Sequence, residues 1–354
     1  MRLRSFLTML MLVASAATAT AAPPIELELV TERGVQITAP HEWLQLLTSV
    51  GVDHVQVRGL RGGEQPSAKN VGSVERPSFL VIGLLTSRDE LRLPGGTFTR
   101  GERAKLKDYL ERLAADGAES LTAPRGRFGL TEQELVAVFA DLTPAIDFAT
   151  KDQPLLTVLE KLQPKLKSPW AIDAAANRII REAKPVADEL QGITIGTAVA
   201  ILLRHEGLVF RPEKQRGRAV EYHVLVADAD ALRASTLGKT ESLDPNLKNW
   251  PIGWEPDKAP GEAAPSLLDS LNAEIDGYTL DEALAAVRKR LKLPLYIDHA
   301  ALAAHNVDPA KIEVKVTKAR YSYKRLLDRV LAPARLGSSL RIDESGSPFL
   351  WATR

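Results

Sequence analysis

Two stretches of this chain carry the same order of apolar and polar positions. From Tyr278 to Asp298, YTLDEALAAVRKRLKLPLYID, apolar residues recur at helical spacing and run into a short apolar segment ending in aspartate. From Asp152 to Asp173, DQPLLTVLEKLQPKLKSPWAID, the order repeats without a gap. Lys165-Leu-Lys-Ser-Pro169 and Ile172-Asp173 answer Arg290-Leu-Lys-Leu-Pro294 and Ile297-Asp298. Apolar residues three and four apart share a helix face, and a short apolar run after them fits a buried strand. The repeat predicts two small domains, each with a helix feeding a strand.

In the second copy, Thr279-Leu-Asp-Glu282 reads as a capping box, in which hydroxyl and carboxylate satisfy free amides at a helix start. Leu280, Leu284, Val287 and Leu291 take one face of that helix. Leu295–Ile297 and Ile312–Val316 read as strands, Tyr321–Leu331 as a second helix, and Ser339–Asp343 with Pro348–Thr353 as a hairpin turning at Gly346. In the first copy the pattern gives strand Ile146–Ala149, helix Gln153–Pro164, strand Trp170–Ile172, a helical turn at Ala174–Arg181, helix Thr194–Arg204, and strands Gly207–Arg211 and Val220–Val226. Val186–Gln191 stands where the second copy has Ile312–Val316, and it carries no strand pattern.

Ahead of the repeats, Ile25–Val30, Val52–Val57 and Phe79–Leu85 read as strands and His41–Val50 as a helix with Trp43, Leu46, Leu47 and Val50 on one face. The unbroken apolar run of Phe79–Leu85 fits a strand covered on both sides. Thr99-Arg-Gly-Glu102 predicts another capping box, opening a helix with Leu106, Leu110 and Leu113 inward and Gly117 as its stop. Thr131-Glu-Gln-Glu134 predicts a third. Between the repeats, 227–265 is proline-rich and aperiodic, an arm or linker whose Trp250 and Trp254 are expected to pin it to a neighbouring domain.

Residues 1–22 begin with two arginines, continue through an apolar run from Phe6 to Val13 and end in small residues, the order of a cleaved secretory signal. The expectation is an exported chain, periplasmic or extracellular. It has no cysteine, so disulfides cannot supply its stability and its cores must. A formal net charge of +1 with mixed signs throughout offers no basic field for nucleic acid.

The order strand, helix, strand, strand, helix, strand, strand resembles the short N-terminal (STN) domain of secretins and TonB-dependent receptors, carried here by Tyr278–Asp298, Ile312–Val316, Tyr323–Leu331 and Ser339–Trp351. Stretches such as RGRFGLTEQELVAV and the PFLW ending resemble secreted proteins of planctomycete bacteria. The expected fold is α+β: tandem small βαββαββ-like domains preceded by an N-terminal α/β unit. The expected divisions are a signal at 1–22, the α/β unit at 23–128, the first STN-like repeat with a leading helix at 129–226, a linker at 227–269 and the second repeat at 270–354. The resemblance implies an exported module that docks a protein or peptide partner.

No motif in the sequence assigns catalytic, cofactor-binding or metal-binding residues. Gly238-Lys239-Thr240 lacks the first glycine of a phosphate loop. Asp298, His299, His305 and Asp308 lack zinc spacing, and His41 and His205, each followed by Glu, lack the second histidine of a zinc-protease helix. The dense basic group Lys315, Lys318, Arg320, Lys324, Arg325 and Arg329 reads as a solvated helix face, with contact to an anionic surface as the alternative. The expectation is therefore a non-enzymatic interaction or scaffold protein, with no cofactor, that takes up a partner by strand addition. Its contact residues would be Phe349, Leu350 and Trp351 on an exposed closing strand, with Trp250 and Trp254. The alternative is an envelope hydrolase with carboxylates meeting between domains.

Overall fold

The computed structural model describes residues 24–52, 54–73, 76–228 and 248–354. The expected signal and the Gly238-Lys239-Thr240 triplet lie outside them. The described residues form two compact units, one ending at Thr122 and the other running Ala123–Arg354, and the second contains both repeats. The fold is a mixture of helices and small sheets, α+β as expected.

In the first unit, β1 (Ile25–Thr31) lies between β2 (His54–Gly59) and β4 (Phe79–Leu85), parallel to both. The sequence pattern missed β3 (Ser67–Asn70), antiparallel to β4, and the hairpin of β5 (Glu90–Leu93) and β6 (Gly96–Thr99). These strands are only four residues long, too short to show a period. Helix α1 (Ala39–Ser49) buries Trp43 and Leu47 completely, and α2 (Arg103–Asp116) buries Leu106, Leu110 and Leu113. A single turn, α3 (Glu119–Thr122), ends the unit. The capping box expected at Thr99 is half formed. Glu102 accepts the Thr99 N–H at 3.0 Å, but α2 opens only at Arg103, because Thr99 is still the last residue of β6.

The second unit opens with α4 (Glu132–Leu142), which starts on the predicted capping box at Thr131 and Glu134. The first repeat follows: α5 (Leu155–Leu162), β7 (Trp170–Ile172), α6 (Ala174–Glu182), α7 (Ile195–His205), β8 (Leu208–Lys214) and β9 (Val220–Val226). A short turn, α8 (Pro260–Ala263), leads to the second repeat. This consists of β10 (Ser270–Thr279), α9 (Leu280–Arg288), β11 (Leu295–Ile297), α10 (His299–Ala304), β12 (Glu313–Ser322), α11 (Tyr323–Leu331), β13 (Gly337–Ile342) and β14 (Pro348–Thr353).

The sequence repeat is also a repeat of hydrogen bonds. Each copy has a three-stranded sheet, β7-β9-β8 and β11-β14-β13, with the last strand of the repeat in the middle. Tyr222 N–H donates to the Pro169 carbonyl at 2.9 Å, and Leu350 N–H donates to Pro294 at 2.8 Å. Asp173 N–H donates to Val224 at 3.1 Å, and Asp298 N–H to Ala352 at 2.8 Å. The copies differ in one large feature. The second has a ribbon of ten-residue strands, β10 antiparallel to β12, beginning at the pair Ser270–Ser322. The first keeps a single antiparallel bridge at the matching place, Ala145–Thr194. The strand expected at Ile146–Ala149 is therefore absent. Its partner segment, Val186–Gln191, has no extended pattern to pair with, as its sequence indicated.

The second repeat has a core of its own around Leu284, Leu327 and Val330, and it also lends side chains to the core of the first. Leu159, Ile201 and Tyr222 of the first pack in a cluster with Tyr296, Phe349 and Trp351 of the second. The arm at 248–254 lies in the same cluster. Trp250 N–H donates to the Phe210 carbonyl at 2.8 Å on β8, and Trp254 exchanges two backbone hydrogen bonds with Ile342 on β13, at 2.7 and 2.9 Å. Gly253, at φ +65°, permits this approach: a Cβ there would stand 2.5 Å from the Phe349 ring and 2.9 Å from the Ile342 carbonyl oxygen.

Candidate functional site

The aromatic residues expected to meet a partner are buried in the core. Phe349, Leu350 and Trp351 are at most 1% exposed. Their strand, β14, is no edge: β11 pairs with it on one side and β13 on the other. The proposal that this strand accepts a partner's strand is thereby corrected, because its backbone groups already have partners. Proline at its first position had suggested an edge, but proline is equally tolerated at a strand start. Trp250 and Trp254 pin the arm to the core, as their apolar area led us to expect. They stack among Phe128, Phe139 and Phe210 at ring-centroid separations of 5.0 to 6.1 Å.

Among the strands at sheet edges, β10 borders a groove. Strand β10 pairs only with β12 among the described residues, which leaves its other side open. Beside that side runs a groove of about 380 Å³. Leu271, Ala273 and Ile275 of β10 face Ala283, Ala286 and Val287 of α9 across it. Lys289 and Arg290, both exposed and at the end of α9, form its basic rim, with Glu274 as the one acid. Register shifts between Ala273 and Ile275 and between Ile275 and Tyr278 bend the later part of β10. The regular portion, Ser270–Ala273, lends Leu271, Asn272 and Ala273 to the groove, and the later part adds Glu274, Ile275 and Tyr278. Of the basic group read from the sequence, Lys315 pairs with Asp276 at 3.4 Å and Lys324 with Asp328, while Lys318 and Arg320 are exposed on the ribbon.

A second concentration of polar side chains joins the repeats. Arg204, at the end of α7, donates to Asp298 Oδ2 through Nε at 2.9 Å and lies 2.8 Å from it through Nη2. Both residues are almost fully buried. Asp298 also accepts the Thr353 hydroxyl at 2.7 Å and the Ala301 N–H at 3.0 Å, which caps α10. Burial opposes its ionisation, but Arg204 and these donors outweigh it and hold its pKa below the usual carboxylate value. The matching aspartate of the first repeat, Asp173, is exposed.

Next to this pair, Asp188 from the loop after α6 meets His299 Nε2 at 3.1 Å and Arg288 Nη2 at 3.2 Å. His205 stands beside them, its ring 4.8 Å from that of His299 and its Nε2 3.1 Å from the Ile297 carbonyl. Burial pushes His205 down to about 4, which keeps the imidazole neutral near pH 7. Asp188 is also buried, yet His299 and Arg288 hold it ionised. Of Asp298, His299, His305 and Asp308, grouped for a metal from the sequence, only His299 enters this cluster, and it meets there His205, which lacked a second histidine on its own helix. Asp298 is bound to Arg204, Asp308 pairs with Lys311 at 2.9 Å, and His305 is exposed. Asp188 and His205 are drawn from distant segments, so no spacing rule could have linked them to His299.

No protein-family model matches this chain, and no curated protein or solved structure shows significant similarity to it. Among the described residues, no helix is long and apolar enough to cross a membrane.

Proposed function

We propose that this chain is an exported, non-enzymatic docking protein of the cell envelope, and that it captures an extended acidic peptide segment along β10. One observation carries the reading: an unpaired strand edge borders an apolar groove whose rim is basic. A strand added there would pair with the Ser270–Ala273 backbone, and its alternate side chains would lie over Ala283, Ala286 and Val287. Backbone pairing accepts almost any sequence. Selectivity comes from the groove floor and from Lys289 and Arg290, which favour carboxylates.

The test is a random displayed peptide library panned against the whole chain. Enrichment of peptides that combine apolar residues with Asp or Glu, and their loss with K289E/R290E, support the reading. No enrichment, or enriched peptides that bind the double variant equally well, would refute it.

A further inference from the structure

We infer that Asp188, His205 and His299 form a binding site for a divalent transition-metal ion of the zinc class, placed where the two repeats meet. One ligand-capable atom from each residue lies within 4.8 Å of the others. Zinc bonds of about 2.0–2.2 Å in a tetrahedral arrangement set ligand atoms roughly 3.3 Å apart. Asp188 and His299 already stand at 3.1 Å, so the site closes on an ion with a side-chain adjustment of about 1.5 Å or less at His205.

The surroundings fit a metal site in three respects. His205 Nε2 faces the Ile297 carbonyl at 3.1 Å. A carbonyl beyond the imidazole is the outer contact that fixes the tautomer of a metal-bound histidine. Arg288 holds Asp188 Oδ1, which leaves Oδ2 on the side of the histidines. The His299 side chain is 36% exposed, so the cluster opens to solvent there and water can complete the coordination.

Two imidazoles and one carboxylate select a borderline ion such as zinc over magnesium or calcium, which prefer all-oxygen sets. The positive charge of Arg288 beside the site weakens its hold on any cation, so the affinity expected is moderate. Bound there, the ion would clasp the loop that carries Asp188 in the first repeat to the start of α10 in the second.

The experiment is titration of the whole chain with zinc, and separately with cobalt(II), whose visible absorption reports a four-coordinate nitrogen and oxygen environment. The expected result is one zinc per chain and a cobalt spectrum that zinc abolishes. H299A and D188N, each checked for intact fold by circular dichroism, should weaken zinc by about 100-fold or more, beyond the roughly 10- to 100-fold carried by an outer contact. H305A, which alters an exposed histidine outside the cluster, should change nothing. Absence of stoichiometric zinc overturns the inference, as does binding that survives both cluster variants or falls equally with H305A.

Discussion

Glu344 of the closing hairpin caps a helix in the other repeat: its Oε2 accepts the backbone N–H of Thr197 at 3.1 Å and the Thr197 hydroxyl at 2.9 Å. Thr194, which precedes α7, donates its hydroxyl to the same oxygen, and Trp250 Nε1 donates to Oε1 at 2.6 Å. The arm, the first repeat and the second thus converge on one carboxylate. Gly196 makes room for it, since a Cβ there would lie 2.5 Å from Glu344 Oε1. G196A should therefore destabilise the second unit by about 1–3 kcal/mol, the range for overpacking a filled interior, although alanine favours helices. Chemical denaturation followed by far-ultraviolet dichroism measures this, and a stabilised variant would contradict it.

Burial pushes the Glu344 carboxyl above its ordinary value of 4.5, against the pull of the donors from Thr194, Trp250 and Thr197. The buried Asp343 stands next to it, held by Ser345 and Ser347. A carboxyl whose folded pKa is raised binds its proton more tightly when folded. Its contribution is therefore complete below 4.5 and is lost as pH rises through the folded value. Wild type should lose stability on that interval, and E344Q should lack this component of the slope whatever its absolute stability. Equal slopes for the two proteins would show that Glu344 titrates as it does in the unfolded chain.

The Arg204–Asp298 pair is buried on both sides, so removing one partner strands the other charge. R204M should cost about 3–5 kcal/mol, whereas R204M/D298L should cost less than the sum of the two single changes. Additive costs in the double-mutant cycle would mean that the two residues are not coupled.

Leu350 tests the placement of β14. In an exposed edge strand, L350P would spare the fold. In a central strand with Leu350 fully buried, proline removes the N–H that reaches Pro294 and disturbs the ladder to β13. L350P should cost about 3 kcal/mol or more and broaden or abolish the thermal transition of the second unit. A variant that melts like wild type would contradict the sheet order described.

The sequence showed most of what is local. The capping boxes at Thr131 and Thr279, the apolar face of Leu280, Leu284 and Val287, and the strand Pro348–Thr353 all follow from residues a few places apart. Two kinds of feature were hidden. β10 does alternate, with Leu271, Ala273 and Ile275 set between Asn272, Glu274 and Asp276, but two register shifts interrupt its pairing and an open edge shows only once its neighbours are placed. The meeting of Asp188, His205 and His299 depends on how two repeats pack, and Glu344 looked like an ordinary turn residue because the helix it caps begins 150 residues earlier. Phe349, Leu350 and Trp351 were misplaced for the same reason. A hydrophobic strand reads alike at the edge and at the centre of a sheet until its neighbours are known.

The docking account is tested most directly by amide hydrogen exchange of the whole chain, with and without a saturating peptide taken from the displayed library. Strand addition predicts slowed exchange confined to Ser270–Ala273 and the adjoining face of α9, with no such change in K289E/R290E. Protection that maps elsewhere, or a bound peptide that leaves β10 exchanging as before, would contradict the assignment of β10 as the docking edge.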